Sequence, residues 1–230
     1  MPSDVEKLLA ACDRDLGDPQ RWFAPRGYPD SLALCVIDAI YSPGARYVTV
    51  EKIIARYRGY RGAQGADPET DGAEELLHNI AEVGGPEQWA SQIGNRRPTS
   101  TAAGAPLKAV ALAKVAEILV SLDVRSTEEL RAVTSDEGRS GEVKAAWCAV
   151  PGQRSGITWD YARMLARVPG VKADRIVLGY VCREVGAIDA GRAAELLRAV
   201  AEARGWNVID LDHAIWRFES KRPYQRDVPA

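Results

Sequence analysis

Residues 150–175 read VPGQRSGITWDYARMLARVPGVKADR. Two Val-Pro-Gly triplets bracket a short helical run, and an aspartate lies near the end of the stretch. Glycines at 152 and 156 permit a tight bend with exposed backbone N–H groups, and the helix beginning ITWDYARML places its positive N-terminal end behind that bend. Together they form a seat for a phosphate, with Arg154 adding charge at the tip. Contacts of this kind position a protein on a duplex without reading its sequence. The same residues also suit a plain connection between two helices with a glycine hinge, so the surrounding chain has to decide.

Around this stretch helical periodicity dominates and alternating, strand-like runs are almost absent, which predicts an all-α fold. Helices are expected over about 3–15, 29–41, 47–58, 72–83, 106–121, 126–133, 140–149, 156–167, 172–185, 190–204 and 210–219. Ser126 with Glu129 makes a capping box, Pro106 suits a first helical turn, and Gly205 reads as a C-terminal stop. Residues 59–72 and 94–105, rich in Gly, Pro, Ser and Thr, read as loops. No internal repeat is evident; the two Val-Pro-Gly triplets are followed by different sequences.

At 230 residues, 46% of them hydrophobic, the chain can bury one sizeable core or two smaller ones. Its four cysteines, Cys12, Cys35, Cys148 and Cys182, contain no Cys-x-x-Cys pair, so zinc and iron–sulfur ligand spacings are absent. Cys35 and Cys148 lie in apolar runs and are expected to be buried thiols. The N-terminus lacks a basic segment followed by an apolar stretch, and no apolar run reaches the roughly 18 residues that span a bilayer. A cytoplasmic protein with no membrane association is the expectation. The net charge of −2 argues against a polyanionic partner, yet charge is unevenly spread. Residues 66–87 carry seven acids and no Lys or Arg, whereas 139–184 carry eight bases against four acids. A polyanion would be steered to the latter, unless those charges simply solvate helix faces.

VPGQRSGITWDYARML resembles the helix-hairpin-helix of the endonuclease III-like DNA glycosylase superfamily, whose pattern is roughly Leu-Pro-Gly-Val-Gly-x-x-Thr-Ala. Members place an essential aspartate about 22 residues beyond the hairpin's first glycine, at the start of the next helix. Counting 22 from Gly152 reaches Asp174, in VKADRIVLGYV. SLALCVIDAIYSPGARYVTVEKIIARY (31–57) is similar to the family's early helix, turn and helix bordering the base pocket, and NVIDLDHAIWRFES (207–220) to its closing helix. An alternative frame takes Val168-Pro169-Gly170-Val171 as the hairpin and Asp189 as the acid. It leaves little chain for the intervening helix, and Asp189 suits the N-cap of 190–204.

The resemblance implies two helical subdomains with a cleft between them: residues 1–30 with 140–230, and residues 31–139. It implies a monofunctional glycosylase that hydrolyses the N-glycosidic bond of a modified or damaged base flipped out of double-stranded DNA. Asp174 is the expected catalytic carboxylate, since bond cleavage builds positive charge on the sugar ring and a helix start keeps an aspartate ionised. Gly152, Gln153, Arg154, Ser155, Gly156, Lys172 and Arg175 are expected to contact DNA, and Tyr41, Ser42, Arg46, Tyr47 and Tyr161 to line the base pocket. Trp147, Trp159 and Trp216 read as core, and His213 as a structural histidine. Bifunctional members carry a nucleophilic lysine where Gly156 stands here, so lyase chemistry is not expected. No iron–sulfur cluster or other cofactor is expected, although the family hairpin can hold a monovalent cation. Gln153-Arg154-Ser155 replaces the usual Val-Gly-x. That departure keeps open a second reading, a non-catalytic DNA-binding or interaction module, and a third, an all-α protein without a nucleic-acid ligand.

Overall fold

A computed structural model describes residues 2–23 and 26–226. Met1, Ala24, Pro25 and residues 227–230, all within the expected terminal subdomain, lie outside the described residues. In chain order the helices are α1 (Asp4–Leu16), α2 (Leu32–Tyr41), α3 (Tyr47–Ala63), α4 (Ala73–Glu82), α5 (Pro86–Gln92), α6 (Lys108–Ser121), α7 (Thr127–Thr134), α8 (Glu137–Ala149), α9 (Ile157–Leu165), α10 (Arg175–Val185), α11 (Ala190–Arg204) and α12 (Val208–Glu219). Among the described residues no strand forms, so the chain is all-α; two isolated bridges join Trp22 to Gln225 and Pro98 to Leu107. None of these helices is long and apolar enough to cross a membrane.

The chain forms two compact units, Gly27–Val168 and Met1–Arg26 with Pro169–Ala230. In the first, α2 is the central element. Its sequence LALCVIDAIY is apolar on nearly every side, so only a position surrounded by other helices removes it from water, and all ten of its residues are buried. Helices α3, α4, α6 and α9 pack against it. Each large aliphatic side chain buried there contributes roughly 1.5–3 kcal/mol. The Ser31 hydroxyl caps α2 at the Leu34 N–H, 3.3 Å away.

This unit departs from expectation in three places. Helix α3 continues to Ala63 through Gly59 and Gly62, into what reads as loop 59–72, although each glycine costs a helix about 1 kcal/mol. The extra turn is held from outside. Buried Asp71 accepts from the Tyr57 hydroxyl at 2.7 Å and from Arg61 Nε at 2.7 Å and Nη2 at 3.0 Å. Helix α5 is unforeseen; Pro86 opens it, and Trp89 Nε1 donates to buried Asn79 at 2.8 Å. The third departure is the boundary between units. Residues 140–168 were expected with the chain termini, but Val143, Trp147, Trp159, Ala162 and Leu165 share one buried cluster with α2 and α6, so α8 and α9 belong to the Gly27–Val168 unit. Helix α9 packs on α2, and α8 packs on α6 and α7. The 94–105 segment is a loop as expected, and α6 begins at Lys108, just beyond Pro106.

In the second unit α1, α10, α11 and α12 pack around Leu8, Leu16, Val177, Tyr180, Leu197, Val200, Leu211 and Ile215. Its helix ends are chemically specified. Ser3 and Glu6 form a capping box on α1, Asp189 caps α11 through the Arg192 N–H at 2.8 Å, and Gly205 closes α11 at φ +65°. Asp189 thus caps α11, as its place before residues 190–204 suits it to do. Cys12 and Cys35 are buried, whereas Cys148, expected inside, is half-buried.

Candidate functional site

The hairpin lies in the Gly27–Val168 unit. Helix α8 ends at Ala149, the Gln153 N–H closes a turn on the Val150 carbonyl at 3.0 Å, and the Gly156 N–H closes a second on the Gln153 carbonyl at 3.0 Å. Gly152 (φ +85°) and Gly156 (φ +75°) occupy the left-handed region that those two turns require. Pro151, Gly152, Arg154 and Ser155 form the exposed tip. They border a shallow concavity that Cys148, Ala149 and Val150 complete.

Gln153, expected to face DNA, turns inward instead. It is 3% exposed, and its Oε1 accepts from the Thr158 hydroxyl at 2.7 Å, which in turn accepts from Trp147 Nε1 at 2.9 Å. Trp147 meets Trp159 edge-on, with ring centroids 5.7 Å apart, so both are core residues as expected. The polar relay fixes one helix of the hairpin to the other, and the Gln153 side chain is taken up in it. Of the hairpin residues expected at DNA, Gly152, Arg154 and Ser155 are exposed and Gly156 is buried.

The expected pocket residues divide. Tyr41 is a core side chain, 1% exposed, with its ring 5.9 Å from that of Trp89. The Ser42 hydroxyl donates to Asp38 at 2.8 Å, and the Tyr28 hydroxyl donates to the other oxygen of the same carboxylate at 3.0 Å. Tyr161 is near this group. Burial pushes its phenol up, with Asp38, Tyr47 and Tyr28 adding to the rise and Ser42 opposing it. Ser42, Tyr28 and Tyr161 are therefore gathered around Asp38, with the exposed Tyr47 near Tyr161, while Arg46 is exposed at the start of α3. Sequence reasoning missed Tyr28 and Asp38. A lone carboxylate in the apolar run of α2 was the signal.

Asp174 lies in the other unit, where it is the N-cap of α10. Its Oδ1 accepts from the Ile176 N–H at 2.8 Å and the Val177 N–H at 3.1 Å, and Oδ2 takes no part in the cap. Lys172 is half-buried beside it and Arg175 is exposed. Behind the Lys172–Asp174 turn stands Asp212 of α12, 5% exposed, whose Oδ1 accepts from the Lys172 N–H at 3.1 Å. Burial, with Asp174 adding to it and Lys172 and its N–H opposing, pushes the Asp212 carboxyl up to about 7. Next to it His213 stacks on Trp216 at 5.9 Å, and burial, with Arg217, Arg222 and Lys172, lowers its pKa to about 4. A neutral histidine packed on a tryptophan fits a structural role. Among the described residues no group of His, Cys, Asp and Glu side chains has the arrangement of a metal site.

The architecture is that of an all-helical protein in two units, one carrying the hairpin and one carrying the capping aspartate. Over residues 6–220 the chain matches the family described as a domain of unknown function (DUF8548), and it belongs to that family. No curated protein and no solved structure matches the chain.

Proposed function

We propose that the protein is a monofunctional DNA glycosylase of helix-hairpin-helix type, acting on a modified or damaged base extruded from duplex DNA. The observation that carries this reading is the hairpin whose exposed tip presents Gly152, Arg154 and Ser155, followed 22 residues on by an aspartate at a helix start. Backbone amides and Arg154 at the tip would take a phosphate. Asp174 would face the reacting sugar with Oδ2. As the bond between the anomeric carbon and the base nitrogen breaks, its electron pair leaves with the base and the sugar becomes cationic. The carboxylate stabilises that cation and orients a water, whose oxygen bonds to the anomeric carbon while its proton passes to the carboxylate or solvent. Two backbone donors on Oδ1 fix the orientation of the carboxylate.

The test is incubation of the protein with duplexes that carry different modified bases, scored for abasic sites after alkali treatment. Wild type releases at least one base and Asp174→Asn releases none, while both bind the duplex alike. Equal release by the variant, or no release from any duplex, overturns the reading. The inward turn of Gln153 favours a second reading, a non-catalytic DNA-binding module. That reading gains if the protein binds abasic or nicked duplex at low salt and excises nothing.

A further inference from the structure

We propose that Asp212 is the positioning residue for Asp174, gripping from behind the turn that presents it and adding a second carboxyl to the field that meets the sugar cation. This inference rests on the glycosylase reading. Among the described residues of its unit, Asp212 is the one buried charged side chain. A carboxyl is costly to enclose without a partner, and its partner here is the Lys172 backbone N–H. Lys172 opens the Lys172–Asp174 turn, where the Asp174 N–H folds back to the Lys172 carbonyl, and Asp174 then caps α10. One hydrogen bond thus ties α12 to the segment that aims the reactive group.

The two carboxyls have opposite environments. Asp174 is half-buried and accepts from two helix-start amides, whereas Asp212 is enclosed and pushed up to about 7. Lys172 and Asp174 of the turn are the charged groups that act on it. Beside it on α12 stands His213, which burial keeps neutral and on which Arg217, Arg222 and Lys172 act. The core residues that α1, α10 and α11 contribute are aliphatic, apart from the Cys12 thiol and the Tyr180 phenol. Near neutrality Asp212 therefore changes charge beside Asp174. Ionised, it adds to the attraction for a cation; protonated, it does not.

The probes are two DNA duplexes with a central abasic analogue, one a pyrrolidine, which is cationic in place of the sugar, the other a neutral tetrahydrofuran. Affinities are measured at about pH 6 and about pH 8 at fixed ionic strength. Wild type prefers the cationic duplex, and the preference grows several-fold, up to about tenfold for one unit of coupling, between the two pH values. Asp212→Asn keeps the preference, now flat with pH, and Asp174→Asn loses most of it. If Asp212→Asn retains the wild-type pH dependence, the inference fails and the glycosylase reading stands. If wild type prefers neither duplex at either pH, the glycosylase reading itself fails. A carbon-13 titration of the wild-type carboxyls is independent of any variant's folding. The Asp212 midpoint falls when the pyrrolidine duplex is bound and not with the tetrahydrofuran duplex; an unchanged midpoint overturns the inference.

Discussion

The Lys172 backbone N–H donates to Asp212 Oδ1 at 3.1 Å, so a buried acid of α12 supports the turn that begins α10. The Asp212 carboxyl, pushed up to about 7 chiefly by burial, holds its proton more tightly in the folded chain than in the unfolded one. Its contribution to stability is therefore most favourable at low pH and declines as pH rises from the unfolded value near 4 through about 7. Asp212→Asn removes that decline. Between about pH 5 and pH 8 the variant gains on wild type by roughly 2–3 kcal/mol, read as a Tm difference that widens with pH. His213, whose pKa is lowered to about 4, contributes stability that is lost as pH falls from about 6.5 to 4, and it does so equally in both proteins. A Tm difference that does not change with pH would show that Asp212 is ionised throughout.

The relay from Trp147 through Thr158 to Gln153 predicts a specific loss. Thr158→Val keeps the shape of the side chain but leaves the Trp147 N–H and the Gln153 carbonyl oxygen without a partner in a buried place. The cost is about 1–3 kcal/mol in urea unfolding, because an enclosed unsatisfied group forfeits its hydration. Thr158→Ser, which retains the hydroxyl, recovers most of it. Stability of Thr158→Val equal to wild type would mean that the relay contributes nothing.

Gly152 and Gly156 share a positive φ but differ in their surroundings. A Cβ on Gly152 would lie 2.6 Å from Thr99 Cβ, whereas one on Gly156 would meet the flexible end of Lys144 at 3.3 Å. Both alanine variants carry the strain of the left-handed region, about 1 kcal/mol. Gly152→Ala in addition displaces the 94–105 loop, so it is the more destabilising of the two. The double variant Gly152→Ala/Thr99→Gly relieves the clash and falls back to a cost like that of Gly156→Ala. Equal midpoints for the two single variants would contradict the close approach of Thr99.

Local chemistry was legible where a single residue decides a single geometry. Ser126 with Glu129, Asp189 and Gly205 each act at the helix end that their side-chain or backbone preference specifies. Helix type followed from periodicity, because an apolar face must be covered whatever covers it. What could not be read depends on residues distant in the chain. Nothing near Gly59 announces that Asp71 will hold α3 together through Arg61 and Tyr57. Gln153 is polar and lies at a hairpin tip, so exposure was the natural expectation, and only the approach of Thr158 and Trp147 makes an inward position favourable. Asp212 is one of two aspartates in VIDLDHAIWRFE, and which of them faces inward depends on the rotation of α12 against α10 and α11.

Arg154 is exposed at the hairpin tip beside Gly152 and Ser155, and both DNA readings assign it to a phosphate. A phosphate contact releases counterions and is indifferent to base sequence. Arg154→Ala should therefore weaken binding to unrelated duplexes by a similar factor and reduce the magnitude of the slope of log affinity against log salt by about 0.9. Arg154→Lys retains most of the slope, because it keeps the charge while losing the planar fork. The measurement is fluorescence anisotropy on two duplexes of different sequence across a salt series. If Arg154→Ala leaves the slope unchanged, the tip does not touch the backbone and the hairpin is a connection between α8 and α9 only. If the loss is confined to one duplex, the guanidinium reads bases rather than phosphate, and the hairpin contributes to choice of site.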